Sequence, residues 1–502
     1  MKNILEYLED TEMKLADHIA VDDGCFCLTW HELLDLSRRL GTAFCGRTES
    51  RRAILILMEK SAPVLAAMFG VVYAGCFYVM ADPSQPTARI REILKVLEPE
   101  LVVTDKEHLT LLEQAGYGGS KCLLDDVIHE TIDMKKLTEI RADSKESDLL
   151  YGLFTSGSTG TPKGIVVSQQ AVIKFITHFI NIFGITENDR IGNQAPFDFD
   201  VSVKDIYSSI MTGAKLIIIP KKLFSSPPML LDYLCEKKVT TLIWAVSALC
   251  LISSLKGLRY KVPTDVKRIL FSGEVMPVKQ LRLWQEALPN AEFVNLYGPT
   301  EITCNCTYYP VDKLFEDGEK MPIGKSFPGR DVFLLDENGK EINVPDAVEE
   351  ICVAGESLSD GYYHNPEETT KKFISHPRYP GESVKCYRTG DLGYYDKDGN
   401  LYFSGRKDFQ IKHMGHRIEL EEIERAFEKI PGVERTCCIF DTKRNRIVAF
   451  YMGGVLANDI RRELKDFLPA YMHPSKFVQT EMMPLNKNGK TDRTYFRKKL
   501  EV

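Results

Sequence analysis

Short apolar runs alternate with helix-patterned segments along most of this chain, and that alternation narrows the possible folds more than any other feature. "RAILILME" (52–59) precedes "APVLAAMFGVVYAG" (62–75), "KLIIIP" (215–220) precedes "MLLDYLCEKK" (229–238), and "VKRILFSG" (266–273) precedes "VKQLRLWQEAL" (278–288). Buried strand followed by amphipathic helix, repeated, predicts α/β layers with largely parallel sheets. In open sheets of that kind the ligand crevice lies at the carboxyl ends of the strands. The turn-rich segments fall there: "FTSGSTGTPKG" follows the apolar "DLLYGLF", "SGE" follows "RILF", and "YGPTE" follows "AEFVNL".

Near Arg406 the texture changes. "HRIELEEIERAFEKIPGVERTCCIFDTKRNRIVAFYM" reads as one acidic amphipathic helix and two short strands around a charged turn, with "GRKD" before it as a hinge. The expected architecture is a large α/β domain of layered sheets and helices over residues 1–406 and a small, mobile α+β domain over 407–502. No internal repeat, Pro-rich linker or low-complexity tract interrupts either part.

Composition limits the function classes. A chain of 502 residues with 44% hydrophobic content can bury a large core, and a multi-domain soluble enzyme is the default reading. A formal net charge of −7 leaves no basic excess for a nucleic-acid surface. The first twenty residues carry acids throughout and lack a signal-peptide core, and no stretch of about 18 uncharged apolar residues occurs. A cytoplasmic protein without membrane insertion is expected. The 13 cysteines form no CxxC, so reduced and mostly buried thiols are expected. A metal site built from two of the close pairs (Cys25 and Cys27, Cys304 and Cys306, Cys437 and Cys438) is the weaker reading, since none has a His at zinc-finger spacing.

"LFTSGSTGTPKG" (153–164) is neither core strand nor helix interior, because Gly157, Gly160 and Gly164 weaken regular structure and Pro162 removes a donor. Backbone N–H groups, hydroxyls and one ammonium suit phosphate oxygens. An ordinary flexible turn is the alternative. A P-loop is not, since Lys163 lies between Pro162 and Gly164 rather than before Ser or Thr. A kinase-like reading, which would yield ADP, falls with it.

Taken in order, "LFTSGSTGTPKG", "FDFDVSVKDIY", "NLYGPTE", "YRTGDLG", "GRKDFQIKHMGHRIE" and "PLNKNGKTDR" resemble the adenylate-forming enzymes, specifically the amino-acid adenylation domains of nonribosomal peptide synthetases and the D-alanine:carrier protein ligases. The resemblance spans nearly the whole chain. It implies that a carboxylate attacks the α-phosphate of ATP, diphosphate leaves, and a thiol then attacks the acyl-adenylate. It also implies the site. Thr155, Ser156, Gly157, Ser158, Thr159, Gly160 and Lys163 would cradle phosphates, and Glu301 would help hold Mg²⁺. Asn295, Leu296, Tyr297, Gly298, Pro299 and Thr300 would form the adenine wall, with Tyr297 stacked on the base. Asp391 would accept from the ribose hydroxyls, with Phe403 and Arg406 beside it. Lys490 would stabilise charge at the α-phosphate in the first step. Asp408 and Lys412 would form the hinge, and Gly415 would line the tunnel for a phosphopantetheine thiol.

Asp200 aligns with the aspartate that binds a substrate α-ammonium, which favours an amino acid over an aryl or fatty acid; an N-cap or surface acid is the bland alternative. The remaining lining would comprise Val201, Lys204, Ile243 or Trp244, Leu270, Ser272, Leu296, Cys304 and Asn305. The D-alanine ligase pattern has cysteine where Ser272 stands and an apolar residue where Lys204 stands, and both departures weigh against D-alanine. Lys204 would meet a substrate carboxylate or polar tip, pair with an acid such as Asp205, or turn to solvent. A small or polar amino acid is expected. With no carrier segment after the small domain, the acceptor is expected to be a separate carrier protein in trans. A monomer is the family's habit. Two alternatives differ in one feature each: an acid:coenzyme A ligase has no need of Asp200, and a nucleotide-binding scaffold has no need of Lys490.

Overall fold

A computed structural model describes residues 1–157, 161–379, 384–485 and 491–501. Two large sheets carry the expected alternation. In the first, strands Ile19–Asp22, Lys215–Ile218, Arg190–Asn193, Thr241–Ala245, Arg268–Ser272 and Glu292–Tyr297 run parallel side by side, with antiparallel strands at both edges. In the second, Ser120–Leu123, Leu101–Thr104, Ala53–Leu57, Phe77–Ala81 and Leu149–Thr155 run parallel before antiparallel Lys163–Ser168 and Gly361–Tyr362 close one side. The strand Ala53–Leu57 is buried at every position, as its unbroken apolar run requires. Helix Ala62–Tyr73 packs on it, and helix Trp30–Cys45 packs on that helix so closely that Gly41 and Gly70 meet the opposite helix with no room for a methyl group. Thr29 caps helix Trp30–Cys45 in a reciprocal box with Glu32.

An antiparallel sheet follows (Arg330–Leu335, Glu349–Gly355, Phe373–Ser375, Lys385–Tyr395 and Leu401–Arg406). Its register sets Asp391 directly opposite Arg406. The C-terminal part has cores of its own: helix Leu420–Glu428 packs on strands Val433–Asp441 and Arg446–Gly453, and strand Lys476–Gln479 and helix Arg493–Glu501 complete it. Before them a two-stranded hairpin, Gln410–His413 with His416–Glu419, turns through Met414 and Gly415, both left-handed at φ 53° and 81°. Two consecutive positive φ values mark the tight hairpin turn whose twist matches its strands.

All 13 cysteines are free thiols, and eight are buried; Cys25 and Cys27 are exposed. Among the described residues no cluster of three or more His, Cys, Asp or Glu could hold a metal ion, and no helix is long and apolar enough to cross a membrane.

Candidate active site

The carboxyl ends of strands from both large sheets converge on one cavity of about 1150 Å³. Its walls include Ser156 after Leu149–Thr155, Asp200 after Arg190–Asn193, Ser272 after Arg268–Ser272, and Gly298 to Thr300 after Glu292–Tyr297. The hairpin closes it, contributing Lys412, Met414, Gly415, His416 and Arg417. The cavity stands where the alternation of strands and helices places a ligand crevice.

Two glycines are fixed by close approach of chain segments. A methyl group on Gly157 would lie 2.0 Å from the Thr161 carbonyl oxygen, and one on Gly298 would lie 2.6 Å from Asn305 Cα. The second contact folds "YGPTE" over residues 304–306, whose neighbours Thr303 and Cys304 are themselves left-handed at φ 56° and 72°. Non-glycine residues hold that conformation only under constraint, and such strain gathers at functional sites.

At one edge of the cavity the carboxylates are already paired with guanidinium groups, Asp391 on its wall and Glu301 fully buried behind it. Arg417 Nη1 donates to both oxygens of Glu301 at 2.8 Å, and Tyr362 Oη donates to the same carboxylate at 2.7 Å. Burial alone would raise the Glu301 pKa, but Arg417 and the tyrosines overcome it and hold the group at about 2. Ser156 Oγ donates to the Arg417 carbonyl at 2.7 Å, tying the segment after strand Leu149–Thr155 to the hairpin. Asp391 accepts from Arg406 and, at 2.6 Å, from Tyr297 Oη. Arg406 also binds both oxygens of Asp408, at 2.6 and 2.8 Å.

The other side is different. Asp200 stands just before helix Val201–Thr212 but makes no capping bond; its carboxylate accepts from Thr300 Oγ1 at 2.8 Å. It is half-buried, and partial removal from water pushes its pKa upward against the pull of Lys204. Lys204, 1% exposed, faces the cavity and donates to Asn305 Oδ1 at 2.7 Å. Its neighbour Asp205 points elsewhere, accepting from Asn193 Nδ2 at 2.8 Å. Lys204 therefore turns neither to solvent nor to Asp205.

Several expected positions sit behind the cavity rather than on it. Ile243, Leu270 and Leu296 belong to the main hydrophobic core and Trp244 to a second one, and none of the four lines the cavity. Trp244 instead donates from its indole to the Gly192 carbonyl at 2.7 Å. Asn295 donates to the Pro322 carbonyl, and Phe403 packs with its ring 6.5 Å from that of Tyr297, itself turned to Asp391. Lys163 leaves the cavity for Glu368 Oε1, 2.7 Å away. Thr155, Val201, Cys304 and Pro299 do line it. Lys412, expected at the hinge, lines it too; burial lowers its pKa although Asp391 and Asp200 draw it back. Gly415 N donates to Glu274 Oε1 at 3.1 Å, and a methyl group there would lie 3.3 Å from Ala245 Cβ. Ser158, Thr159, Gly160 and Lys490 lie outside the described residues.

Some cavity residues were not singled out from the sequence. Arg417 lay inside the "GHRIE" string, yet only docking of the hairpin reveals its partner. His416 stacks on Tyr471 with ring centroids 3.6 Å apart, and burial takes its pKa down to about 4. Lys60 Nζ reaches Asn193 Oδ1 and the carbonyls of Asn193, Gln194 and Ala195 within 3.2 Å. Arg89 and Glu422, both nearly buried, pair at 2.8 Å between the large sheets and helix Leu420–Glu428.

Comparison with known proteins gives the family. The AMP-binding enzyme family model matches residues 8–363, and the AMP-binding enzyme C-terminal domain model matches residues 422–490. Surfactin synthase subunit 1 of Bacillus subtilis is 31% identical over 98% of this chain, which spans only 14% of that protein. The chain likewise spans 44% of gramicidin S synthase 1 of Brevibacillus brevis, at 31% identity. The D-alanine--D-alanyl carrier protein ligase of Listeria monocytogenes serotype 4b is 30% identical, with 98% of each chain covered. Among solved structures, the Vibrio cholerae adenylation domain AlmE in complex with glycyl-adenosine-5'-phosphate superposes with a TM-score of 0.85 over 99% of this chain and 97% of that one, at 22% identity, which speaks to the fold. With a family model covering most of its length, this chain belongs to the AMP-binding enzymes.

Proposed function

We propose that the chain activates an amino acid with ATP, forming aminoacyl-AMP and diphosphate, and then transfers the aminoacyl group to the phosphopantetheine thiol of a separate carrier protein. The observation that carries this reading is Asp200: a half-buried, partly desolvated carboxylate on the cavity wall with one hydrogen bond, from Thr300, and no guanidinium or ammonium within ion-pair distance among the described residues. A charge drawn partly out of water is costly unless something pairs with it, and a substrate α-ammonium would do so. The carrier-protein ligase among the full-length relatives supports the acceptor.

In this reading residues 1–406 hold nucleotide and amino acid, and residues 407–502 move between half-reactions. The substrate carboxylate oxygen bonds to the α-phosphorus, the bond to diphosphate breaks, and Lys490 offsets the charge that gathers there. The thiol then attacks the acyl carbon, its proton is lost, and AMP departs. Mg²⁺ supplies charge neutralisation between phosphate oxygens and asks for a carboxylate plus waters. Glu301 fits that donor set, with the requirement that Arg417 first release it. Asp391 and Arg406 would meet the ribose, and the hairpin from Lys412 to Arg417 would flank the thiol's path past Gly415.

The test is isotope exchange between diphosphate and ATP. Exchange should require an added amino acid and fall about 1,000-fold in Asp200→Ala, the scale for stripping one partner from a buried charge pair. Exchange driven equally well by carboxylic acids without an amine would replace the reading with an acid:coenzyme A ligase.

A further inference from the structure

We propose that the amino acid taken by this cavity carries a carboxylate in its side chain, which pairs with Lys204 while its α-ammonium pairs with Asp200. The inference rests on the reading above and names the substrate class within it.

Lys204 is a buried ammonium with too few partners. Three N–H donors are available to it, yet it makes one full hydrogen bond, to Asn305 Oδ1 at 2.7 Å, and a contact at the 3.5 Å limit with Ser272 Oγ. Among the described residues no carboxylate lies within ion-pair distance of it; Asp205, the next residue, acts on it only through space and gives one oxygen to Asn193 Nδ2 at 2.8 Å. Lys60, a half-buried lysine on the same cavity, shows what a fully partnered ammonium looks like here: four oxygen atoms within 3.2 Å surround its nitrogen, and three of them are backbone carbonyls. Lys204 has no such cradle. It lies on the cavity wall.

Position supplies the second half of the argument. Asp200 is αR and abuts helix Val201–Thr212, so Asp200 and Lys204 stand one turn apart on one face, about 6 Å between Cβ atoms. The cavity wall therefore presents an anion and a cation in sequence. Asp200 reaches Thr300, on the side of Glu301, whereas Lys204 reaches Ser272 and Asn305 on another wall. The ammonium and side-chain carboxylate of aspartate or glutamate, a few bonds apart, carry the complementary charges at matching separation. The α-carboxylate is then left to face the nucleotide side. A neutral amide side chain could accept from Lys204 but would leave its charge uncompensated.

The test measures amino-acid-dependent diphosphate exchange for the purified chain with ATP and Mg²⁺, across both enantiomers of aspartate, glutamate, asparagine, glutamine, alanine, serine and leucine, together with glycine. An acidic amino acid should give the highest kcat/KM, at least about tenfold above its own amide. Lys204→Met should lower that value about 100-fold, while exchange with the amide falls less than about fivefold. Lys204→Arg should restore part of the loss. Asn305→Asp gives Lys204 an internal carboxylate and should raise KM for the acid. It keeps the side-chain shape and guards against a Lys204→Met variant that fails to fold. A neutral amino acid as best substrate, or acid-driven exchange undiminished in a folded Lys204→Met, would overturn the inference and leave the proposed function standing. No exchange with any amino acid would remove both.

Discussion

The two sides of the cavity treat charge in opposite ways. On the side that would take nucleotide, Glu301 is clasped by Arg417 and Asp391 by Arg406. On the side proposed for the amino acid, Asp200 and Lys204 have only neutral hydrogen-bond partners among the described residues. A carboxylate that already has its counter-ion is stable as it stands, and something must displace that partner before it can serve a ligand. A charge without one is a standing demand for a ligand of opposite sign. The first side is set by where the C-terminal hairpin docks, and the second is the one proposed to wait for a ligand.

The largest expected effect tests the second side: Asp200→Ala should remove amino-acid-dependent exchange by about 1,000-fold while leaving ATP binding within a few-fold, read by exchange rates and by nucleotide titration. Next is the first side. Glu301 sits at about 2 in the folded chain against an ordinary 4.5, so the stability it contributes is fully present above the ordinary value and is lost as pH falls toward the folded one. Urea titrations should show it giving up about 2 kcal/mol between pH 5 and pH 3, from a total of about 3 kcal/mol. Arg417→Gln should cost about 3 kcal/mol at pH 7 and flatten that acid limb. An unchanged limb would mean that the pair contributes nothing to folding.

The two cavity lysines give the smaller, opposed effects. Lys60→Met strips hydrogen bonds from a ring of partly buried carbonyls and should destabilise by about 2 kcal/mol. Lys204→Met removes a buried cation without an ionic partner and should stabilise by about 1 kcal/mol. Urea midpoints of the two variants moving in the same direction would erase the distinction between a structural lysine and one reserved for substrate.

Much of the fold was legible because strand burial and helix amphipathicity are local signals. Unbroken apolar runs such as Ala53–Leu57 became buried parallel strands, and the turn-rich segments that follow strands came to line the cavity. What was not legible depended on register and docking. Asp391 and Arg406 are partners because an antiparallel register sets them face to face. Glu301 and Arg417 meet across 116 positions of chain, and Lys204 and Asn305 across 101. Ile243 and Trp244 were both admissible as lining, yet successive strand residues point to opposite faces, and each joined a different core. Lys163 carried the right charge in the right loop, but strand Lys163–Ser168 begins with it and its side chain pairs with Glu368.

The most direct test of the central claim is to incubate the chain with ATP, Mg²⁺ and mixed amino acids, quench in acid, and identify the released nucleotides by mass spectrometry. The account predicts an aminoacyl-AMP together with AMP and diphosphate, its aminoacyl part acidic. ADP with inorganic phosphate, or an adenylate whose acyl group carries no amine, would contradict it.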